Sequence, residues 1–137
     1  MEADKMTQRV QKSLNDAFSE AVRNHNQQVD VIHLLYALID QEDGIIPRII
    51  EKMGISVDSF KNSIKDEIGK LPQIRGEGVS SQGVVATRKL NEILIRAEEI
   101  SKEFNDLYIS VEHLFLAIIE LEGKTNIGKL LKQFNIN

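Results

Sequence analysis

Glu112 and His113 stand side by side, and a carboxylate next to an imidazole is a small unit that can move a proton near neutral pH. Acid–base catalysis also needs a nucleophile or a second carboxylate held against that pair, and none accompanies it. A hydrolase built on Glu112 and His113 is therefore a poor reading. Metal binding fares no better. His33 and His113 would need further ligands at suitable spacing, and none is evident. Both are expected to be core histidines whose ring nitrogens are satisfied inside the protein, and His25, in a polar stretch, is expected to be solvated. The chain has no Cys, which removes a thiol nucleophile, a thiolate metal site and a disulfide framework. It also lacks a phosphate-cradling Gly-x-x-x-x-Gly-Lys-Ser/Thr loop: Gly69-Lys70 runs into Leu71 and has no glycine upstream at the required distance. ATP binding and hydrolysis are not expected of this chain. The chemistry left is recognition.

The elements that carry these residues come in two copies. Val29-Asp-Val-Ile-His-Leu-Leu-Tyr-Ala-Leu-Ile39 reads against Ile109-Ser-Val-Glu-His-Leu-Phe-Leu-Ala-Ile-Ile119, and the match extends upstream without a gap to Thr7 and Thr87. Over those 33 positions eight residues are identical, where ordinary composition gives roughly two by chance. Other positions swap like for like, as Arg9 does for Lys89, Val10 for Leu90 and Leu38 for Ile118. A long period occurring twice predicts a pseudo-symmetric pair of helical units rather than a solenoid.

Helical spacing of apolar residues predicts a helix from about Thr7 to Asn24 (with Val10, Leu14, Ala17, Phe18, Ala21 and Val22 as its apolar stripe) and a second, buried on most faces, from Asp30 to about Asp40. A short third helix runs from about Ile46 to Met53, with Pro47 in its first turn and Gly54 as a left-handed stop. A fourth begins at Ser56 and carries Val57, Phe60, Ile64 and Ile68. From Gly69 to about Ala86 the pattern fails: Pro72, Gly76, Gly78, Ser80-Ser81 and Gly83 mark a long connection with a mobile tip. Helices at about Thr87–Glu103, Ser110–Leu121 and Thr125–Gln133 repeat the first three, with Leu130-Leu131 answering Ile49-Ile50. Thr7, Asp30 and Thr87 suit N-caps. The chain then ends where a repeat of the fourth helix would start, so the second unit is expected to lack its last helix and to leave a surface that is apolar or pairs with another copy. The predicted fold is all-α, one domain over 1–137, with repeat one at 7–69, a connection at 70–86 and repeat two at 87–137.

Composition excludes other classes. Hydrophobic residues make up 42% of the 137, ordinary for a chain with a real core. A net charge of −4 argues against nucleic acid, which asks for clustered excess Lys and Arg. No apolar run approaches the length of a membrane span, and Met1-Glu-Ala-Asp-Lys5 has no apolar signal region. A soluble, cytoplasmic protein is the expectation. The charged run Arg96–Glu103 reads as a solvated helix face with pairs such as Glu98–Lys102.

The order of these features resembles a known family. Met6-Thr-Gln8, Gln28-Val-Asp-Val-Ile-His-Leu-Leu35, Gln41-Glu-Asp-Gly44 with Pro47-Arg-Ile-Ile-Glu-Lys-Met-Gly54, and Ile109-Ser-Val-Glu-His-Leu-Phe115 together resemble the N-terminal domains of the Clp ATPases. The connection Leu71-Pro-Gln-Ile74 with Gly76 and Gly78 is similar to that of the disaggregase branch. The resemblance implies a double Clp N-terminal motif, a pseudo-twofold bundle tethered by a linker to AAA+ ATPase rings that would hold ATP and Mg2+; no cofactor is expected in this chain. The implied partners are unfolded or aggregated polypeptides and adaptors, with the DnaK chaperone system acting through the full-length protein. That protein is expected to be a homohexamer and this fragment a monomer.

The resemblance also implies a groove beside the first helix and the start of the fifth and sixth. Thr7, Asp106 and Glu112 fall where the family places polar groups at its rim. Capping alone accounts for Thr7, and a loop position for Asp106, so the ligand role is weighed against both. A groove for unfolded chain is expected to be mainly apolar, with the polar rim orienting the peptide backbone. Arg96 departs from the aliphatic residue common in relatives. In protease-associated relatives, a Glu-His in both repeats lines pockets for phosphorylated arginine. Here Glu112-His113 is kept, but Ile32 precedes His33 and cannot offer guanidinium the fork of a carboxylate. At most one such pocket is expected. A spacer with no ligand is the bland alternative.

Overall fold

The computed structural model describes residues 3–75 and 83–137. The expected mobile tip at Gly76, Gly78 and Ser80-Ser81 lies outside the described residues. Helices α1 (Gln8–Arg23), α2 (Val31–Ile39), α3 (Ile45–Lys52) and α4 (Val57–Gly69) make the first half, and α5 (Arg88–Glu103), α6 (Val111–Leu121) and α7 (Asn126–Gln133) the second. A short 3-10 turn, Ala3–Lys5, precedes α1.

Local chemistry starts these helices where the residues predict. The Oγ1 of Thr7 accepts from Val10 N at 3.2 Å, and that of Thr87 from Leu90 N at 3.1 Å. Ser56 and Thr125 cap α4 and α7 in the same way, each satisfying a backbone N–H that the helix leaves open. His25 and Asn105, eighty residues apart, follow the C-caps of α1 and α5 in the left-handed region, at φ 58° and 59°. For residues with a Cβ that conformation is uphill, so both chain reversals are held by their surroundings.

The apolar faces then decide the packing. Every residue of α2 is buried, because α2 is sandwiched against α1, α4 and α6. Leu34, Leu35 and Leu38 are fully buried, each contributing roughly 1.5–3 kcal/mol relative to exposure. Its mate α6 packs on α5, α3 and α1. Phe60 of α4 meets Phe134, beyond α7, edge to face at 5.1 Å between ring centroids, the T-shaped geometry that aromatic quadrupoles favour.

The two halves are joined by a feature absent from the helical reading. Two-residue strands β1 (Gln28–Val29) and β2 (Val85–Ala86) pair in parallel, and Met6 bridges Ile109 in parallel. Shifted by eighty residues and exchanged, one pairing becomes the other. The hydrogen bonds agree: Thr7 N donates to Ile109 O at 3.0 Å and Thr87 N to Val29 O at 2.9 Å. These crossings satisfy backbone groups just ahead of α1, α2, α5 and α6, where a buried loop would otherwise leave them unpaired. The end of the connection is thus structured: Val84 is buried, and Val85–Ala86 is β2.

The expected Glu98–Lys102 pair is not among the ion pairs of the described residues. Arg96 organises this face instead, reaching Glu99 at 3.3 Å, Glu103 at 3.4 Å and Glu120 of α6 at 3.0 Å. A guanidinium presents several donors in a fork and can serve three carboxylates, which an ammonium at Lys102 does less well. No helix of the described residues is long and apolar enough to cross a membrane.

Candidate functional site

The histidines are structural anchors, and each is read from its hydrogen bonds. His33 sits at the third position of α2, where its Nδ1 accepts from the Asp30 backbone N–H at 2.9 Å. That fixes the ring proton on Nε2, which donates to Asn26 Oδ1 at 2.9 Å. His113 does the same in α6: Nδ1 accepts from Ser110 N–H at 2.9 Å and Nε2 faces Asp106 Oδ2 at 2.8 Å. Each ring ties a helix start to the loop before it. Burial holds the His33 pKa below the ordinary imidazole value, against the pull of Asp30 and Glu20. His25 is exposed. Among the described residues no cluster of three or more His, Asp or Glu is placed to hold a metal ion.

Of the three rim residues, two meet. Thr7 and Glu112 line one cleft of about 500 Å3 where the N-terminal ends of α1, α3 and α6 converge. Gln8 and Arg9 come from α1, Asp43, Ile45 and Arg48 from α3 and its approach, and Ser110 and Val111 from α6. Asp106 is not in that lining; its carboxylate is committed on one oxygen to His113. The start of α5 lines a related cleft instead. That one, of about 370 Å3, includes Asp30, Ile32, Lys89, Glu122, Lys124 and Asn126. Ile32 stands for Glu112, Lys89 for Arg9 and Lys124 for Asp43.

The two mate threonines differ in what they have left to give. Thr87 accepts from its helix and also donates its hydroxyl proton to Asp30 Oδ1 at 3.0 Å. At Thr7 the facing residue is Ser110 rather than an aspartate, and the hydroxyl proton has no acceptor among the described residues. Thr7 is a cap with a spare donor. Neither Arg9 nor Arg48 forms an ion pair among the described residues, nor does Glu112. Three helix N-termini add partial positive charge. The cleft therefore offers both donors and an acceptor, the pairing a peptide backbone presents in reverse.

Its apolar lining is limited to Ile45 and Val111. Large exposed apolar side chains gather on the α5–α6 loop, where Phe104, Leu107 and Tyr108 stand out into solvent. Arg9, Arg48 and Asp43 were not legible as site residues, since α3 approaches the other helix starts only in three dimensions. The loop residues carried a signal: their repeat mates are Asn24, Gln27 and Gln28, so the second copy turns three polar positions apolar.

Residues 5–134 match the family model of the Clp repeat (R) N-terminal domain. The chain is 54% identical over 136 residues to the chaperone protein ClpB of Clostridium perfringens, and 44% identical over 136 residues to that of Clostridium tetani. Each alignment covers 99% of this chain and 16% of the relative, so the chain spans about a sixth of the length of those proteins. The fold is similar to the Hsp104 N-terminal domain from Candida albicans (TM-score 0.81, 19% identity, covering 97% of this chain and 83% of that one). It is also similar to a ClpV N-domain solved in complex with a VipB peptide (TM-score 0.78, 20% identity, covering 98% and 80%).

Proposed function

The chain belongs to the Clp repeat N-terminal domain family and is a ClpB-like N-terminal domain, and on that premise we propose that it captures unfolded or aggregated polypeptide, and adaptors, for an ATP-dependent disaggregase. The observation that carries this reading is the cleft shared by Thr7 and Glu112. A hydroxyl proton and two guanidinium groups, without acceptor or ion-pair partner among the described residues, face one space with a carboxylate, which suits a backbone of alternating N–H and C=O regardless of sequence. Capture of this kind is weak by design, since ordering a flexible client offsets much of what apolar burial and hydrogen bonding contribute. Weak capture suits a machine that must release its client.

Thr7 would donate to a client carbonyl and Glu112 accept a client N–H, with Asp106 engaging the client along the neighbouring loop. The full-length protein would be a homohexamer with ATP and Mg2+ in its ring domains, cytoplasmic and served by the DnaK system. A ClpV N-domain holding a VipB peptide supports peptide capture as a use of this fold.

Chemical-shift mapping with an unfolded model substrate tests the reading. Perturbations are expected around Thr7, Asp106 and Glu112; shifts scattered over the surface would remove the site. A second reading, phosphoarginine recognition, is favoured by Glu112 lying in one cleft with Arg9 and Arg48, a carboxylate for guanidinium and cations for phosphoryl oxygen. Ile32 at the related position speaks against a matching second pocket. Titration with phosphoarginine separates the two readings: no saturable binding is expected.

A further inference from the structure

The protein contains its own example of an extended segment seated on a helix–helix loop. In the first half, Leu71-Pro-Gln-Ile74 lies along the α1–α2 loop. Ile74 N donates to His25 O at 2.8 Å, and Asn26 Nδ2 donates to Pro72 O at 3.1 Å. Asn26 is buried beneath that segment. Its mate in the second half is Asp106, whose side chain is 49% exposed and which no described segment covers. The carbonyl of Asn105, mate of the one that receives Ile74 N, has no partner among the described residues.

The substitutions between the two loops are directional. Asn24, Gln27 and Gln28 become Phe104, Leu107 and Tyr108, which are 59%, 89% and 55% exposed. Three large apolar side chains within five residues are a costly surface to leave in water. The amide of Asn26 becomes the carboxylate of Asp106. Asn26 gives an N–H to the segment it holds; Asp106 has no N–H to give and, with Oδ2 turned to His113, offers only an acceptor.

We infer that the α5–α6 loop is a docking strip for an extended polypeptide segment carrying a lysine or arginine between apolar side chains. The segment runs along 104–108 as Leu71–Ile74 runs along the mate loop. Its backbone N–H meets the Asn105 carbonyl, its cation meets the outer oxygen of Asp106, and its apolar residues cover Phe104, Leu107 and Tyr108. Charge complementarity chooses a basic segment over an acidic one. This rests on the polypeptide-capture reading and gives it a side-chain preference.

The test is fluorescence anisotropy with a labelled nonapeptide of alternating leucine and serine around a central lysine, against the same peptide with a central glutamate. The protein is expected to favour the lysine peptide by about tenfold. D106N keeps an acceptor for His113, as Asn26 does for His33, and so preserves the fold; it is expected to reduce the preference to about twofold or less. Leu107→Ser, at a solvent-exposed position, is expected to weaken both peptides by about tenfold. Equal binding of the two peptides by the unaltered protein, or unchanged affinity in Leu107→Ser, would overturn the inference. So would a shift in sedimentation on Leu107→Ser, which would mean a second copy covers the strip. If unfolded substrate binds and responds only to Thr7→Ala and Glu112→Gln, the strip is wrong and polypeptide capture stands. If neither unfolded substrate nor either peptide binds, polypeptide capture itself fails.

Discussion

His113 Nε2 lies 2.8 Å from Asp106 Oδ2, while its repeat mate His33 faces Asn26 Oδ1 at 2.9 Å. The same ring, in the same tautomer, anchors the same loop in both halves, but its partner has changed from an amide to a carboxylate. One substitution keeps the fold and alters what the loop offers to solvent.

His33 is expected to make the protein acid-sensitive. Its folded pKa is lowered from 6.5, chiefly by burial. Between those two values the unfolded chain binds a proton that the folded one refuses, so stability is full above pH 6.5 and declines as pH falls toward the folded pKa. Urea unfolding across pH 7.5 to 5 should show that slope. His33→Leu should flatten it and cost about 2 kcal/mol, because the Asp30 N–H and the Asn26 carbonyl both lose a buried partner. A slope equally steep in the variant would rule His33 out as its source.

Glu122 is expected to act with the opposite sign. It is buried at the end of α6 and its pKa is raised, first by desolvation and also by Asp30 and Glu92, against Lys89. The folded state holds that proton more tightly than the unfolded one, so stability falls as pH rises from 4.5 through the folded pKa. Gln41 stands at the related place, donating to Arg9 O at 3.1 Å and to Ser13 Oγ at 2.6 Å. Glu122→Gln restores a donor and removes the charge, and should raise stability at neutral pH by about 1 kcal/mol. Thermal unfolding at pH 7 checks it; a lower Tm would contradict the assignment.

The two threonines should separate folding from binding. Thr87→Ala loses a cap and the hydrogen bond to Asp30, for about 1–2 kcal/mol, and should leave client affinity unchanged. Thr7→Ala loses only the cap, for about 1 kcal/mol, but should weaken binding of an unfolded substrate. Parallel urea and anisotropy titrations of the pair decide the matter, and equal binding losses in both variants would count against the Thr7 cleft.

Gly128 is fixed by close approach. A Cβ there would collide with the carbonyl oxygens of Glu122 and Gly123 in the turn before α7. Backbone cannot yield as a flexible side chain does, so Gly128→Ala should cost about 2 kcal/mol. Its mate in α3 is Pro47, so the halves reach the same short helix by different local means. A Tm unchanged in Gly128→Ala would mean that the turn relaxes freely.

Much of the architecture is legible in the sequence. Helix starts at Thr7, Ser56 and Thr87 follow from hydroxyls that cap within three residues, and α2 reads as buried because no face of it is polar. These are short-range interactions, so the residues involved are neighbours in sequence. The cleft was legible only in part. Thr7 and Glu112 are legible from the family resemblance, but Arg9, Asp43 and Arg48 join them through the packing of α3, and Asp106 stands apart on the loop that holds His113.

The chain by itself determined a doubled helical unit, its caps and its buried histidines, because periodicity and capping depend on residues a turn apart. Tertiary structure decided the rest. The parallel crossings of Met6 with Ile109 and of Val29 with Ala86 set which helix starts face one another. That register brings each threonine to the cap residue of the other half, and the change from Asp30 to Ser110 then leaves Thr87 donating and Thr7 without an acceptor among the described residues. The register rests on satisfying backbone groups across about sixty to a hundred residues of chain, a condition that no local pattern encodes.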